Sequence, residues 1–232
     1  MKPSLFALLT ALRVHSFRPP MPIRESSTML GAKKSIQFIT NKKCPFAQKA
    51  WVALETSGCE YEMKEISLYG SGGKPQWFWQ LNPRGTVPVL SINDGAEVYA
   101  DSEDILDVVQ SGMLESEGLL STGDEVRESV VEWRRQITER LIPVGRSAVL
   151  GGSLPNLRSL LREFDAKIKG PYLTGGEFTS ADAAMFPFIW RIDKEFTVGQ
   201  DGEEKIKSWL NQCLSIESVK KTVITRDWWW WW

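Results

Sequence analysis

The sequence predicts an α/β domain in the order βαβ, linker, ββα, followed by an all-helical bundle, and three observations predict it. Strand and helix patterns alternate over residues 35–110, only helical stripes recur after about Glu115, and Asn93-Asp94-Gly95 joins two short strand patterns as a hairpin turn. A chain of 232 residues, 42% hydrophobic and 25% charged, has room for one large domain or two small ones.

Residues 35–39 read as a strand with Ile36 and Phe38 inward. Behind them Ala47, Ala50, Trp51 and Leu54 recur at helical spacing, Pro45 suits the first helical position and Gly58 the position past the last turn. A strand near residues 60–66 completes βαβ, and Gly70-Ser71-Gly72-Gly73 opens the linker. Residues 87–92 and 97–100 form the hairpin, and Asp101-Ser102 begins a helix with Ile105, Leu106, Val108 and Val109 on its apolar side. In the bundle one stripe runs through Val126, Val130, Trp133, Ile137 and Leu141, and another through Leu157, Leu160, Leu161, Phe164 and Ile168. Thr179-Ser180-Ala181-Asp182 is a capping-box pattern at the start of a helix, and Ile206, Trp209, Leu210, Cys213 and Leu214 mark the last amphipathic helix. The expected division is 1–30 leader, 31–113 α/β domain, 114–226 helical domain and 227–232 tail.

Cys44-Pro45-Phe46-Ala47 puts a lone thiol where the first strand hands over to the first helix. Unpaired backbone N–H groups and the positive end of the helix dipole favour an anion there. In known cases that placement lowers a thiol pKa from about 8.5 to roughly 3.5–7.5, so Cys44 is expected to ionise readily. The one histidine, His15, lies in the leader, which rules out Ser-His-Asp and Cys-His catalysis, HExxH chemistry and Cys/His zinc sites in the folded part. Cys44, Cys59 and Cys213 form no CxxC and no disulfide framework, and no metal site is expected. Cys213 belongs to an apolar face, and Cys59, beside Gly58, reads as structural.

A formal net charge of -1 gives no electrostatic case for nucleic acid or anionic membranes. The front end differs: Lys2, Arg13, Arg18 and Arg24 stand there without an acid, and residues 5–12 form an apolar run before Val14-His15-Ser16, a candidate cleavage site. That run is too short for a membrane span, which needs roughly 20 residues. Phe17-Arg18-Pro19-Pro20 resembles the Phe-containing junction of bipartite plastid leaders, and the acid-poor stretch to Thr28 fits a transit segment. A plastid location is expected, with an untargeted cytoplasmic protein as the alternative. After Asp227, Trp228 to Trp232 form an apolar tail that folds back on the body, engages a partner or membrane interface, or is a chance extension.

With these motifs in order, the chain resembles the cysteine-type glutathione transferases of the lambda and omega classes over about residues 35–222. The segments that carry the resemblance are Cys44 to Trp51, Lys74-Pro75-Gln76-Trp77-Phe78, Asn82 to Leu90, Asp101-Ser102 and Thr179 to Asp182. It implies a thioredoxin-like N-terminal domain before the helical bundle. It also implies a nucleophilic Cys44, a thiol pocket lined by Phe46, and a cis peptide before Pro88 that opens the Val87 backbone to the cysteinyl part of glutathione. Asp101 and Ser102 would take its γ-glutamyl end and Lys74 its glycyl carboxylate. On residue type alone, Lys74 is a solvated loop lysine and Asp101-Ser102 a helix cap. Asp101 replaces the more usual glutamate, the 69–73 loop is longer than the omega segment, and Ala47 leaves Cys44 a monothiol.

The resemblance implies a glutathione-dependent thiol transferase that removes glutathione from mixed disulfides, acts on a small-molecule or protein-thiol acceptor, extends to dehydroascorbate, and conjugates weakly. Glutathione is then the co-substrate, no metal takes part, and the protein is a monomer or homodimer. The alternative is a binding protein of the same fold, with Trp133, Arg134 or Trp190 lining a cleft for aromatic ligands; the same three positions fit core packing equally. A membrane-inserting relative of chloride-channel type shares the Cys-Pro-Phe opening, but Lys49, Glu55, Glu60 and Glu62 interrupt the segment that would insert.

Overall fold

The computed structural model describes residues 34–68, 73–116 and 124–224, and one compact unit begins at Lys34. The leader, Gly70 to Gly72 and the tryptophan tail lie outside the described residues.

The chain runs β1 (Ile36–Thr40), α1 (Pro45–Ser57), β2 (Glu62–Glu65), α2 (Gln76–Leu81), β3 (Val89–Ile92), β4 (Glu97–Tyr99) and α3 (Ser102–Gln110). The sheet order is β2-β1-β3-β4, with β1 and β2 parallel and the other pairs antiparallel. This is the expected thioredoxin-like half, with one correction. The linker holds the short helix α2, whose Trp77-Phe78-Trp79 sequence is too brief to show a helical period.

Strand alternation divides the sheet residues between two faces. Ile36, Phe38, Leu90 and Ile92 join the main core with α1, α3 and the helical half, while Ile39, Val89, Ile66 and Phe78 form a second cluster beneath α2. Both faces are therefore covered, and the open end of the sheet is left for chemistry.

The helical half consists of α4 (Asp124–Gln136), α5 (Ile142–Val149), α6 (Leu154–Lys167), α7 (Ser180–Phe196), α8 (Glu204–Ser215) and α9 (Glu217–Lys220), the last a short turn that no sequence stripe predicted. A π-helical turn, Ile137–Leu141, joins α4 to α5 and keeps Ile137 and Leu141 buried on one continuous stripe. The expected capping box opens α7: the Asp182 carboxylate accepts from the Thr179 N–H at 2.8 Å and hydroxyl at 2.9 Å, and from Leu173 N–H and Trp209 Nε1. Burial still raises the pKa of this carboxyl, although all these donors oppose the rise. Cys213 is fully buried in the core, as expected, and Cys59 is half-buried.

Candidate active site

Asn41 builds the turn between β1 and α1. Its carbonyl accepts from Cys44 N–H at 3.0 Å, its side-chain oxygen accepts from Lys43 N–H at 3.0 Å, and its amide donates to Ile66 O at 2.8 Å. Cys44 is then the N-cap of α1 with extended backbone, Pro45 takes the first helical position, and Gly58 ends the helix at φ 72°. No formal hydrogen bond from the sulfur caps the helix, but the N–H groups of Ala47 and Phe46 favour negative charge on it.

The thiol does not have the low pKa expected from its helix position. Part of its surface reaches solvent, yet burial raises its pKa above the ordinary value, outweighing Ala47 N–H, Phe46 N–H and the positive charge of Arg191. The dipole argument is local, whereas burial depends on how distant parts of the chain pack around the first turn of α1, α7 among them. Phe46 is exposed beside the thiol, its ring edge-on to Phe188 of α7 at 5.6 Å.

Sheet register brings the remaining positions to the same end. Ile39 pairs with Val89 and Leu90 with Tyr99, so the residues just before β3 lie beside the end of β1 and the exit of β4. There the Val87-Pro88 peptide is cis, with Val87 half-buried and Pro88 buried. Asn82, itself buried, shapes the approach: its amide donates to Thr86 O at 2.8 Å and its side-chain oxygen accepts from Arg84 N–H at 3.2 Å. Gly85 has φ 64°, and a Cβ on it would meet the Trp79 ring at 2.3 Å, so this turn needs glycine twice over.

Asp101 caps α3, accepting from Glu103 N–H at 2.8 Å, and Ser102 begins the helix as a buried residue. The capping reading of Asp101 is therefore present in the structure, with the carboxylate exposed at the same end as Cys44 and Val87. Lys74 precedes α2, and its ammonium sits 5.6 Å from the Trp79 ring centroid. Cys44, Phe46, Val87, Pro88, Asp101 and Ser102 are thus gathered at one end of the sheet, while Lys74 packs on α2.

Two charged groups that sequence reasoning missed stand behind this end. Glu103 binds Lys49 of α1 closely and meets Arg134 of α4 at 2.8 Å; Arg134 also meets Asp107 at 2.6 Å. Burial would raise the Glu103 pKa, but Lys49 and Arg134 outweigh it and hold the carboxyl below its ordinary range. Burial lowers the Lys49 pKa despite the same carboxylate. Trp133, Arg134 and Trp190 are all buried, and at these positions the structure has core and ion-pair packing.

The second group is Arg191 on α7, which is fully buried. Its Nη1 donates to Gln48 Oε1 at 2.6 Å and Pro187 O at 2.8 Å, and its Nη2 donates to Lys43 O at 3.2 Å. Burial lowers its pKa to about 10, against the opposing influence of Cys44. A single arginine after the apolar run Phe186-Pro187-Phe188-Ile189-Trp190 was the signal available in the sequence.

Residues 43–111 match the model for the glutathione S-transferase N-terminal domain, and residues 147–217 the model for the C-terminal domain. Glutathione S-transferase omega-1 of Sus scrofa is 26% identical over 205 residues, covering 83% of this chain and 78% of that protein. Glutathione S-transferase DHAR3, chloroplastic, of Arabidopsis thaliana is 28% identical over 188 residues, covering 77% and 68%. Among solved structures, glutathione transferase Omega 3C from Trametes versicolor has the same fold, with a TM-score of 0.74 at 24% identity over 84% of this chain and 91% of that one. Together the two domain models cover more than half of the chain, in the order of its α/β and helical halves, and the chain belongs to the glutathione S-transferase family.

Proposed function

We propose that the protein is a glutathione-dependent thiol transferase working through Cys44 as a monothiol nucleophile. The observation that carries this reading is the meeting, at one end of the sheet, of a cysteine at a helix N-terminus, the cis Val87-Pro88 peptide and the start of α3 at Asp101-Ser102. Glutathione, the co-substrate that names the family, lies extended along the Val87 backbone, whose N–H and C=O pair with its cysteinyl unit as an added strand does. The Asp101 carboxylate meets its γ-glutamyl ammonium, and the first turn of α3 at Ser102 receives its γ-glutamyl carboxylate. Lys74 turns from Trp79 toward the glycyl carboxylate, and Phe46 lines the sulfur pocket.

In the first step the Cys44 thiolate attacks the glutathionyl sulfur of a mixed disulfide, forming Cys44–S–SG and releasing the acceptor thiolate. A second glutathione thiolate then attacks that disulfide, releasing oxidised glutathione and restoring the Cys44 thiolate. The sum is a two-electron reduction of the mixed disulfide, and no second protein thiol is needed. A cysteine that forms disulfides is poorly suited to stabilising a glutathione thiolate for conjugation, so conjugating activity is weak. Dehydroascorbate belongs to the same reading as a second acceptor. Residues 1–30 form a plastid leader, in keeping with the chloroplastic name of one relative.

The test is reduction of a glutathionylated peptide by the full chain and by Cys44→Ser, with intact mass recorded after exposure to oxidised glutathione. Turnover should fall by about three orders of magnitude in the variant, together with loss of a single glutathione adduct on Cys44. An adduct without turnover would point to a glutathione-binding protein, and no adduct at all would remove Cys44 from the reaction.

A further inference from the structure

Arg191 is a buried cation with no carboxylate partner among the described residues: its acceptors there are the neutral Gln48 Oε1, Pro187 O and Lys43 O. Its Nε is buried and unpartnered. Leaving a guanidinium so enclosed is expensive unless a charge balances it. Two of its three acceptors flank the nucleophile in sequence: Lys43 directly precedes Cys44, and Gln48 lies one helical turn after it.

The charges around the thiol have other partners. Lys42 lies 3.6 Å from Glu65, Lys49 is bound to Glu103, and Glu55 meets Lys221 at 3.6 Å. Asp101 caps α3, Arg134 is answered by Glu103 and Asp107, Asp182 is enclosed by donors, and Asp193 is held by Lys207 at 2.8 Å. Lys43 carries the other positive charge on the loop beside the thiol. Gln48 meanwhile uses both ends of its amide: Oε1 accepts from Arg191, and Nε2 donates to Thr222 O at 2.9 Å beyond α9.

We propose that Arg191 is the fixed counter-charge of the Cys44 thiolate, aimed by a hydrogen-bonded relay that runs from Thr222 through Gln48 to the arginine. The inference rests on reading Cys44 as the nucleophile, and it assigns α7 and the segment after α9 a part in making that nucleophile. Desolvation by the same packing opposes ionisation, so the arginine supplies, within a buried site, the stabilisation that water gives an exposed thiolate. Gln48 is a positioning residue: it acts on the sulfur only through Arg191.

The experiment follows iodoacetamide alkylation of Cys44 across a pH series in the full-length protein, resolved by peptide mass so that Cys59 and Cys213 do not contribute. Arg191→Met should move the alkylation midpoint upward by about one pH unit or more. Arg191→Lys, which keeps the charge, should recover most of that shift, and Gln48→Ala, which keeps the arginine but removes one of its three acceptors, should move the midpoint upward by less. Thermal unfolding accompanies each variant. A cooperatively folded Arg191→Met with the wild-type midpoint overturns the proposal, as does a shift equally large in Arg191→Lys or in Lys43→Gln. If Arg191→Met does not fold, Gln48→Ala decides, and an unmoved midpoint there overturns the proposal. Alkylation needs no glutathione, so absence of mixed-disulfide turnover would count against the proposed activity and leave this result standing.

Discussion

Arg134 and Arg191 are both buried arginines that tie the α/β half to the helical half, and they differ in what answers their charge. Arg134 faces the carboxylates of Glu103 and Asp107, and these raise its pKa although burial opposes them. Arg191 meets neutral oxygens, and burial lowers its pKa to about 10. The first is an electrostatic clamp whose charges balance without any ligand. The second leaves a positive charge uncompensated beside the one thiol at a helix N-terminus, and the difference teaches where the fold spends stability on chemistry.

The clamp should be the more damaging to break. Glu103→Gln leaves Lys49 without its carboxylate and Arg134 with only the exposed Asp107, and should lower unfolding free energy by about 3 kcal/mol in urea titrations. The same residue sets an acid limit. Because its folded pKa is held below the ordinary carboxylate range, its stabilisation is complete above the unfolded pKa of about 4.3 and is lost as pH falls through the folded value. Glu103→Gln should therefore show a flatter loss of stability on the acid side than the wild type.

On the other side of the comparison, Gln48→Ala removes one of the three acceptors of Arg191 and the donor for Thr222 O, and should cost about 1–2 kcal/mol. If it matched Glu103→Gln, the distinction between a balanced clamp and an aimed charge would fail. The smallest effect should come from Asp107→Asn, whose carboxylate is 68% exposed: about 0.5 kcal/mol or less by the same titration. A larger loss would mean that Arg134 depends on both acids equally.

The comparison also marks the limit of what the sequence disclosed. The N-cap position of Cys44, the proline and glycine that bracket α1, and the capping box of α7 depend on neighbours a few residues away, and each was legible. Helix α2 was not, because six residues rich in tryptophan show no period. The direction of the Cys44 pKa was misjudged for a related reason: the helix terminus is local, while the burial that overrides it depends on packing by elements distant in sequence. Glu103 was hidden behind Asp101 and Ser102 as one more acid in a first helical turn, and its two cations come from α1 and α4. Lys74 was read by type and motif, and neither reading contained the ring of Trp79.

Asn41 has a practical consequence for anyone altering the length of this loop. Its backbone and side chain hold Lys43, Cys44 and Ile66 together, so the spacing of three residues to the cysteine is set by hydrogen bonds at both ends. Inserting or deleting one residue there would leave the thiol chemically intact but rotate the whole first turn of α1 away from the sheet. A cysteine graft onto another scaffold therefore needs the asparagine and its spacing copied with it.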